Sequence, residues 1–130
     1  MTRSEFQSME KTGESIRSYR ELRVWQAAKA LAVRIYRTTE GFPTRERYGL
    51  AAQMRSAAVS IASNVAEGYG RNNRGEYVQF LGIANGSLKE LETQLLIAEE
   101  IGLMPGAGSL LEECESIGRL LGPLIRSLQK

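Results

Sequence analysis

The sequence contains no histidine and no aspartate. It therefore lacks the side chain that most often acts as acid and base near neutral pH, the Ser–His and Cys–His nucleophile pairs, and imidazole metal ligands. Its single cysteine, Cys114, permits neither an internal disulfide nor a thiolate cluster for zinc. With no credible acid–base pair, neither catalysis nor a bound metal or cofactor is expected. Apolar runs are short as well: none approaches the ~18–20 residues needed to cross a bilayer, and the opening "MTRSEFQSMEKTGES" is too polar for a signal peptide. These absences point to a soluble, cytoplasmic protein with no membrane contact.

What is present is a chain of 130 residues, enough for one domain with a real core. Seventeen Lys and Arg against fifteen Glu leave a net charge of only +2. The distribution says more than the total. Residues 1–75 hold thirteen basic and seven acidic groups (13 − 7 = +6), whereas residues 76–130 hold four and eight (4 − 8 = −4). A basic side and an acidic side are expected, the plain alternative being an ordinary solvated surface.

Residues 1–18 are polar, carry no periodicity and read as a disordered arm, leaving 19–130 as the folded domain. Four helical patterns follow. Trp25, Ala28, Ala32, Ile35 and Thr39, flanked by Val24, Leu31 and Tyr36, place one apolar face on a helix from about 20 to 40, with Gly41 suited to a left-handed end and Pro43 unable to continue. Leu50, Met54, Ala57, Ile61 and Val65 form the seam of a second helix over about 45–67. Beside it runs a polar line, Gln53, Ser56, Ser60, Ser63 and Glu67. The third, over about 74–101, carries the cleanest heptad, Tyr77, Leu81, Ala84, Leu88, Leu91, Leu95 and Ala98. Gly82 and Gly86 interrupt it at about 1 kcal/mol each in helix propensity, which calls for close packing against another helix. After "GLMPGAGS", Ser109 and Glu112 match a capping box for a fourth helix lined by Leu110, Cys114, Ile117, Leu121, Leu124 and Leu128, with Pro123 weakening its last turns. Four amphipathic helices, short connections and no strand-like alternation imply an all-α, antiparallel up-down four-helix bundle.

The stretch "NVAEGYGRNNRGEY" raises the question of a phosphate loop. Gly70 and Gly75 have P-loop spacing, but Glu76 and Tyr77 stand where Lys and Ser or Thr are required, and no strand precedes them. A helix corner fits better. Gly68 or Gly70 would supply a positive φ, and Asn73 would cap the third helix with Glu76 reaching back. Arg71 and Arg74, near the positive end of that helix, would favour an anion such as a phosphate backbone; a solvated corner is the alternative.

The blocks "FPTRERYGL", "QMRSAAVSI", "NVAEGYGR" and "GSLKELETQL", within a match over roughly residues 20–128, resemble the four-helix bundle proteins named after a member encoded in an intervening sequence of the 23S ribosomal RNA gene. The resemblance implies an antiparallel bundle that assembles as a ring-like homopentamer, with no enzymatic activity. It also implies a distant similarity to the accessory variability determinant of diversity-generating retroelements, which binds nucleic acid and a reverse transcriptase. Ala62 departs from the proline that many members carry after "SI", so the kink it would bring is not expected here.

Two surfaces become candidates. On a helical wheel Arg20, Arg23, Arg34 and Arg37 cluster roughly opposite Trp25, Ala32 and Ile35, and Arg45, Arg47 and Arg55 follow on the next connection and helix. With Arg71 and Arg74 they compose the expected RNA- or DNA-binding set, whose fields would add around a ring of subunits. Aromatic interleaving is thin, so single-strand stacking is not supported. Ser56, Ser60, Ser63, Asn64, Glu67, Gly82, Asn85, Gly86 and Glu90 form the second, a polar seam setting register within the bundle or between subunits. A metal site on Glu67 and Glu90 would lack the Glu-x-x-His motifs of di-iron bundles. The expected function is a non-enzymatic homo-oligomer binding nucleic acid as an accessory to a nucleic-acid-processing protein; the alternative is a protein-interaction scaffold without nucleic-acid contact.

Overall fold

A computed structural model describes residues 17–130. The expected N-terminal arm over 1–18 lies outside the described residues except for Arg17 and Ser18. Four α-helices follow, α1 (Arg23–Thr39), α2 (Leu50–Tyr69), α3 (Arg74–Glu100) and α4 (Gly108–Leu128), with short 3-10 turns at Tyr19–Glu21 and Thr44–Glu46. No strand occurs among the described residues. The most extensive packing is between α2 and α3; α1 lies against α2 and α4, and α3 against α4, so the four enclose one core. None of these helices is long and apolar enough to cross a membrane.

Apolar periodicity becomes burial with few exceptions. Every member of the α3 heptad is fully buried, and the α4 line from Leu110 to Leu128 is at most 2% exposed. Each Leu or Ile so enclosed contributes about 1.5–3 kcal/mol relative to exposure. Cys114 belongs to this core, and burial, reinforced by the charge of Glu92, pushes its thiol up to about 12. It stays protonated and acts as a small apolar filler. On α1 the core line is Val24, Ala28, Leu31, Ala32, Ile35 and Thr39. Trp25 is only half-buried and Tyr36 is 45% exposed. Two apolar lines about 100° apart compete on this helix, and the core took the aliphatic one, leaving the bulky aromatics at the rim.

The helix ends depart from expectation at the glycines. Among the described residues the positive-φ glycine is Gly102, at 82°. It closes α3 with a paired motif in which Gly102 N donates to the Glu99 carbonyl (3.1 Å) and Leu103 N to that of Ala98 (2.9 Å). Gly41 needs no left-handed turn, because α1 ends in right-handed geometry at Glu40 and Phe42 N bonds back to the Thr39 carbonyl at 3.1 Å. Gly70 is likewise right-handed, with φ −75°. Gly68 lies inside α2 and is buried. A Cβ there would sit 2.9 Å from Phe80 Cβ and 3.0 Å from Tyr77 Cδ1, so its role is the close approach of α2 and α3.

The Asn73 cap is as expected, its Oδ1 accepting from Glu76 N at 2.8 Å, while the Glu76 carboxylate reaches back to accept from the Asn73 side-chain Nδ2 at 3.0 Å. Ser109 does not cap α4. The helix begins earlier, after buried Ala107, and Ser109 Oγ accepts from Arg34 instead. α2 runs unbroken through Ala62 and α4 through Pro123. Gly82 and Gly86 are exposed, and a Cβ at either would meet nothing within 4 Å. The close packing expected of them is therefore not made among the described residues.

Candidate nucleic-acid interface

The nine arginines of the expected basic surface divide by what the fold does with them. Arg34 is tied to α4, donating to Ser109 Oγ at 3.0 Å and pairing with Glu113. Arg55, on α2, reaches the end of α1: Nε donates to Thr39 Oγ1 (2.8 Å), Nη2 to the Tyr36 carbonyl (3.1 Å), and the guanidinium lies 4.6 Å over the Tyr36 ring. A cation against the last carbonyls of a helix offsets their partial negative charge. Arg74 donates to the Lys130 carbonyl at 3.2 Å, and Arg71 stacks 4.7 Å over Phe80. Both guanidinium groups of "RNNR" are thus folded back on the protein.

Arg23, Arg37, Arg45 and Arg47 are exposed, and their side chains have no hydrogen bond or ion pair among the described residues. Arg20, also exposed, sits in the 3-10 turn ahead of α1 and lies 5.9 Å from the Tyr19 ring centroid. The free members of this expected set therefore lie on α1 and on the segments at its two ends. Three hollows border this surface. The first is lined by Trp25, Arg20, Lys29, Arg34, Arg37 and Glu113 among others, and the second by Trp25, Val33, Tyr36, Val59 and Ala62. The third, at the α1–α2 corner, holds Thr39, Glu40, Arg47 and Arg55. Trp25, expected opposite the arginines, borders the same hollows they do. Lys29 is absent from the expected basic set, although its place four residues after Trp25 sets its ammonium 5.7 Å from that ring.

The polar seam splits. Ser60 Oγ and Ser87 Oγ are 2.8 Å apart across α2 and α3, and Asn64 Nδ2 donates to the Ser60 carbonyl (2.8 Å) and hydroxyl (3.0 Å). This cluster links two helices of one chain. Ser87 is absent from the expected seam because the periodicity of α2 holds no trace of a partner on α3. Ser56, Ser63, Glu67, Gly82, Gly86 and Glu90 are exposed, Glu90 accepting from Gln94 Nε2 at 3.2 Å. Asn85 borders a hollow between α3 and α4. Among the described residues no three or more acidic or cysteine side chains gather as a metal site would require.

The model of a family described as 23S rRNA-intervening sequence protein matches residues 20–122, which takes in α1, α2, α3 and most of α4. No curated protein matches the chain.

Proposed function

The chain belongs to the 23S rRNA-intervening sequence protein family, and from that premise we propose a non-catalytic, antiparallel up-down bundle that self-assembles and binds RNA or DNA. The observation that carries this reading is the set of exposed guanidinium groups without a partner among the described residues, on α1 and the corner after it: Arg23, Arg37, Arg45 and Arg47. An arginine that holds no carboxylate gives up nothing inside the protein when it meets a phosphate. In a homopentameric ring the same group recurs on every subunit, and a monomer of net charge +2 presents a strong local field. The natural role is an accessory one in the cytoplasm, holding nucleic acid for a processing partner.

Fluorescence anisotropy with labelled RNA and DNA across a salt series tests this. Binding should weaken steeply with salt, and Arg23→Ala, Arg37→Ala and Arg47→Ala combined should flatten the log–log slope by about 0.7–0.9 for each phosphate left without its arginine. Equal affinity for parent and triple variant would remove the proposal. These three are chosen because Arg34 and Arg55 also hold the fold together.

Self-assembly is supported by the outer face of α3. Ile83, beside the open glycines Gly82 and Gly86, and Leu96, Ile97 and Ile101 toward the end of the helix are 45–60% exposed. Such a face gains from cover by a second copy, and glycines allow close backbone approach. Gly82→Ala with Gly86→Ala should lower the sedimentation coefficient at fixed concentration while helicity is kept. A face that stays in solvent would instead gain about 1 kcal/mol per substitution with sedimentation unchanged. The same apolar face is what favours the second reading, a protein-interaction scaffold, which would show no salt-dependent nucleic-acid binding at all.

A further inference from the structure

The fold changes what the aromatic residues can do. Tyr19, Trp25 and Tyr36 are scattered along the sequence, yet they border one track. Trp25, Lys29, Val33 and Arg37 line both the first and the second hollow, and Tyr36 and Glu40 line both the second and the third. The Trp25–Lys29–Val33–Arg37 row, at steps of four, is the ridge between the first hollow, on the α4 side with Glu113, and the second, on the α2 side with Val59 and Ala62; the second continues into the third, so the track follows the α2 side of α1 from Tyr19 to the α1–α2 corner. Seventeen residues of helix make this track roughly 25 Å long at 1.5 Å per residue.

Its rings are held in place. Arg55 backs Tyr36 at 4.6 Å, and the guanidinium is itself fixed by Thr39 Oγ1 and the Tyr36 carbonyl. The ring is nonetheless 45% exposed, so it is a supported platform open to solvent. Trp25 is braced by Tyr19 edge-on, with ring centroids 5.2 Å apart and planes at 72°. Lys29 stands beside it. Among the residues lining the second and third hollows, Lys29, Arg37, Arg47 and Arg55 stand against Glu40, a balance of 4 − 1 = +3.

We infer that this track binds single-stranded nucleic acid, its bases stacking on Tyr36 and Trp25 while Lys29, Arg37 and Arg47 meet the phosphates. The inference rests on the nucleic-acid reading above and gives it a substrate class. Base stacking is open to an unpaired strand, whose bases can turn out onto a ring; in a duplex they are stacked on one another and shielded. Preorganised rings and a line of cations are the two elements of strand recognition without sequence preference. The length suits on the order of four nucleotides, the short end for such grooves.

The chain has one tryptophan, so its emission reports this site directly. The full chain is titrated with a short oligothymidylate, a duplex of equal length and poly-glutamate, while Trp25 emission and anisotropy are followed. Oligothymidylate should quench Trp25 and the other two should not. Tyr36→Leu should weaken its binding about ten-fold or more, and Tyr36→Phe should retain it. Should Tyr36→Leu fail to fold, Lys29→Ala with Arg37→Ala serves instead, expected to keep the quench at saturation but lower the salt slope by about 1.4. Tighter duplex binding, quenching by poly-glutamate, or single-strand binding that leaves Trp25 emission unchanged would overturn the inference; with duplex or strand still bound, the nucleic-acid reading survives. Absence of any nucleic-acid binding at low salt would remove both.

Discussion

Leu88→Ala is expected to lower the unfolding free energy by about 3–5 kcal/mol, the range for a leucine whose removal leaves a cavity. Leu88 is fully buried at the middle of the α3 heptad. Its Cδ2 reaches toward α4, lying 3.7 Å from where a Cβ on Gly118 would be. With no side chain at Gly118 to relax into the space, the gap closes only if α4 moves, and α4 is held by its own line of buried residues from Leu110 to Leu128. The effect is a large share of the ~5–15 kcal/mol that typically separates folded from unfolded domains. Chemical denaturation with unchanged m-value, and a melting temperature lower by about 10–20 °C, would report it. Leu88→Met, which keeps the volume, should cost less than about 1.5 kcal/mol. Similar values for the two would mean that the heptad is not the core.

Gly68→Leu is the second large effect, at about 3 kcal/mol or more, the upper end for overpacking. The neighbours that a Cβ would meet are Phe80 Cβ at 2.9 Å, Tyr77 Cδ1 at 3.0 Å and the Tyr77 carbonyl at 3.3 Å. None of these is the loose end of a flexible side chain, so α2 and α3, the most extensively packed pair of helices, must separate there. Gly70→Ala, two residues on, makes the contrast. Its nearest atom is the Glu67 carbonyl at 3.5 Å and its φ is ordinary, so that change should be near neutral. Thermal melts of both variants check the pair; a harmless Gly68→Leu would mean that the helices are further apart than described. The stretch "NVAEGYGRNNRGEY" is thus a packed corner and not a phosphate loop. Asn73 caps it, and its arginines are laid on Phe80 and Lys130.

Much of this architecture was legible in the residues because helix formation and burial follow short-range periodicity. Tyr77, Leu81, Ala84 and Leu88 recur at steps of four and three, and every one is buried. The Asn73–Glu76 cap spans a single turn and could be read without knowing the fold. The glycines were harder. Their spacing is equally compatible with turning, packing and open surface, and only the neighbours distinguish Gly68 from Gly102 or Gly82. Likewise the α1 wheel placed Trp25 opposite the arginines, because its two apolar lines cannot be ranked until α2 and α4 press on one of them.

The sequence by itself therefore determined four helices, the inward faces of α2, α3 and α4 and the absence of histidine and aspartate chemistry, since each depends on residue type and on spacings of a few positions. Tertiary structure decided which polar groups remained available. Arg34 and Ser109 are 75 positions apart, Arg74 and Lys130 are 56, and Ser60 and Ser87 are 27. A charge is free or engaged according to what the folded chain sets within about 3 Å of it, and a local pattern carries no record of partners that distant.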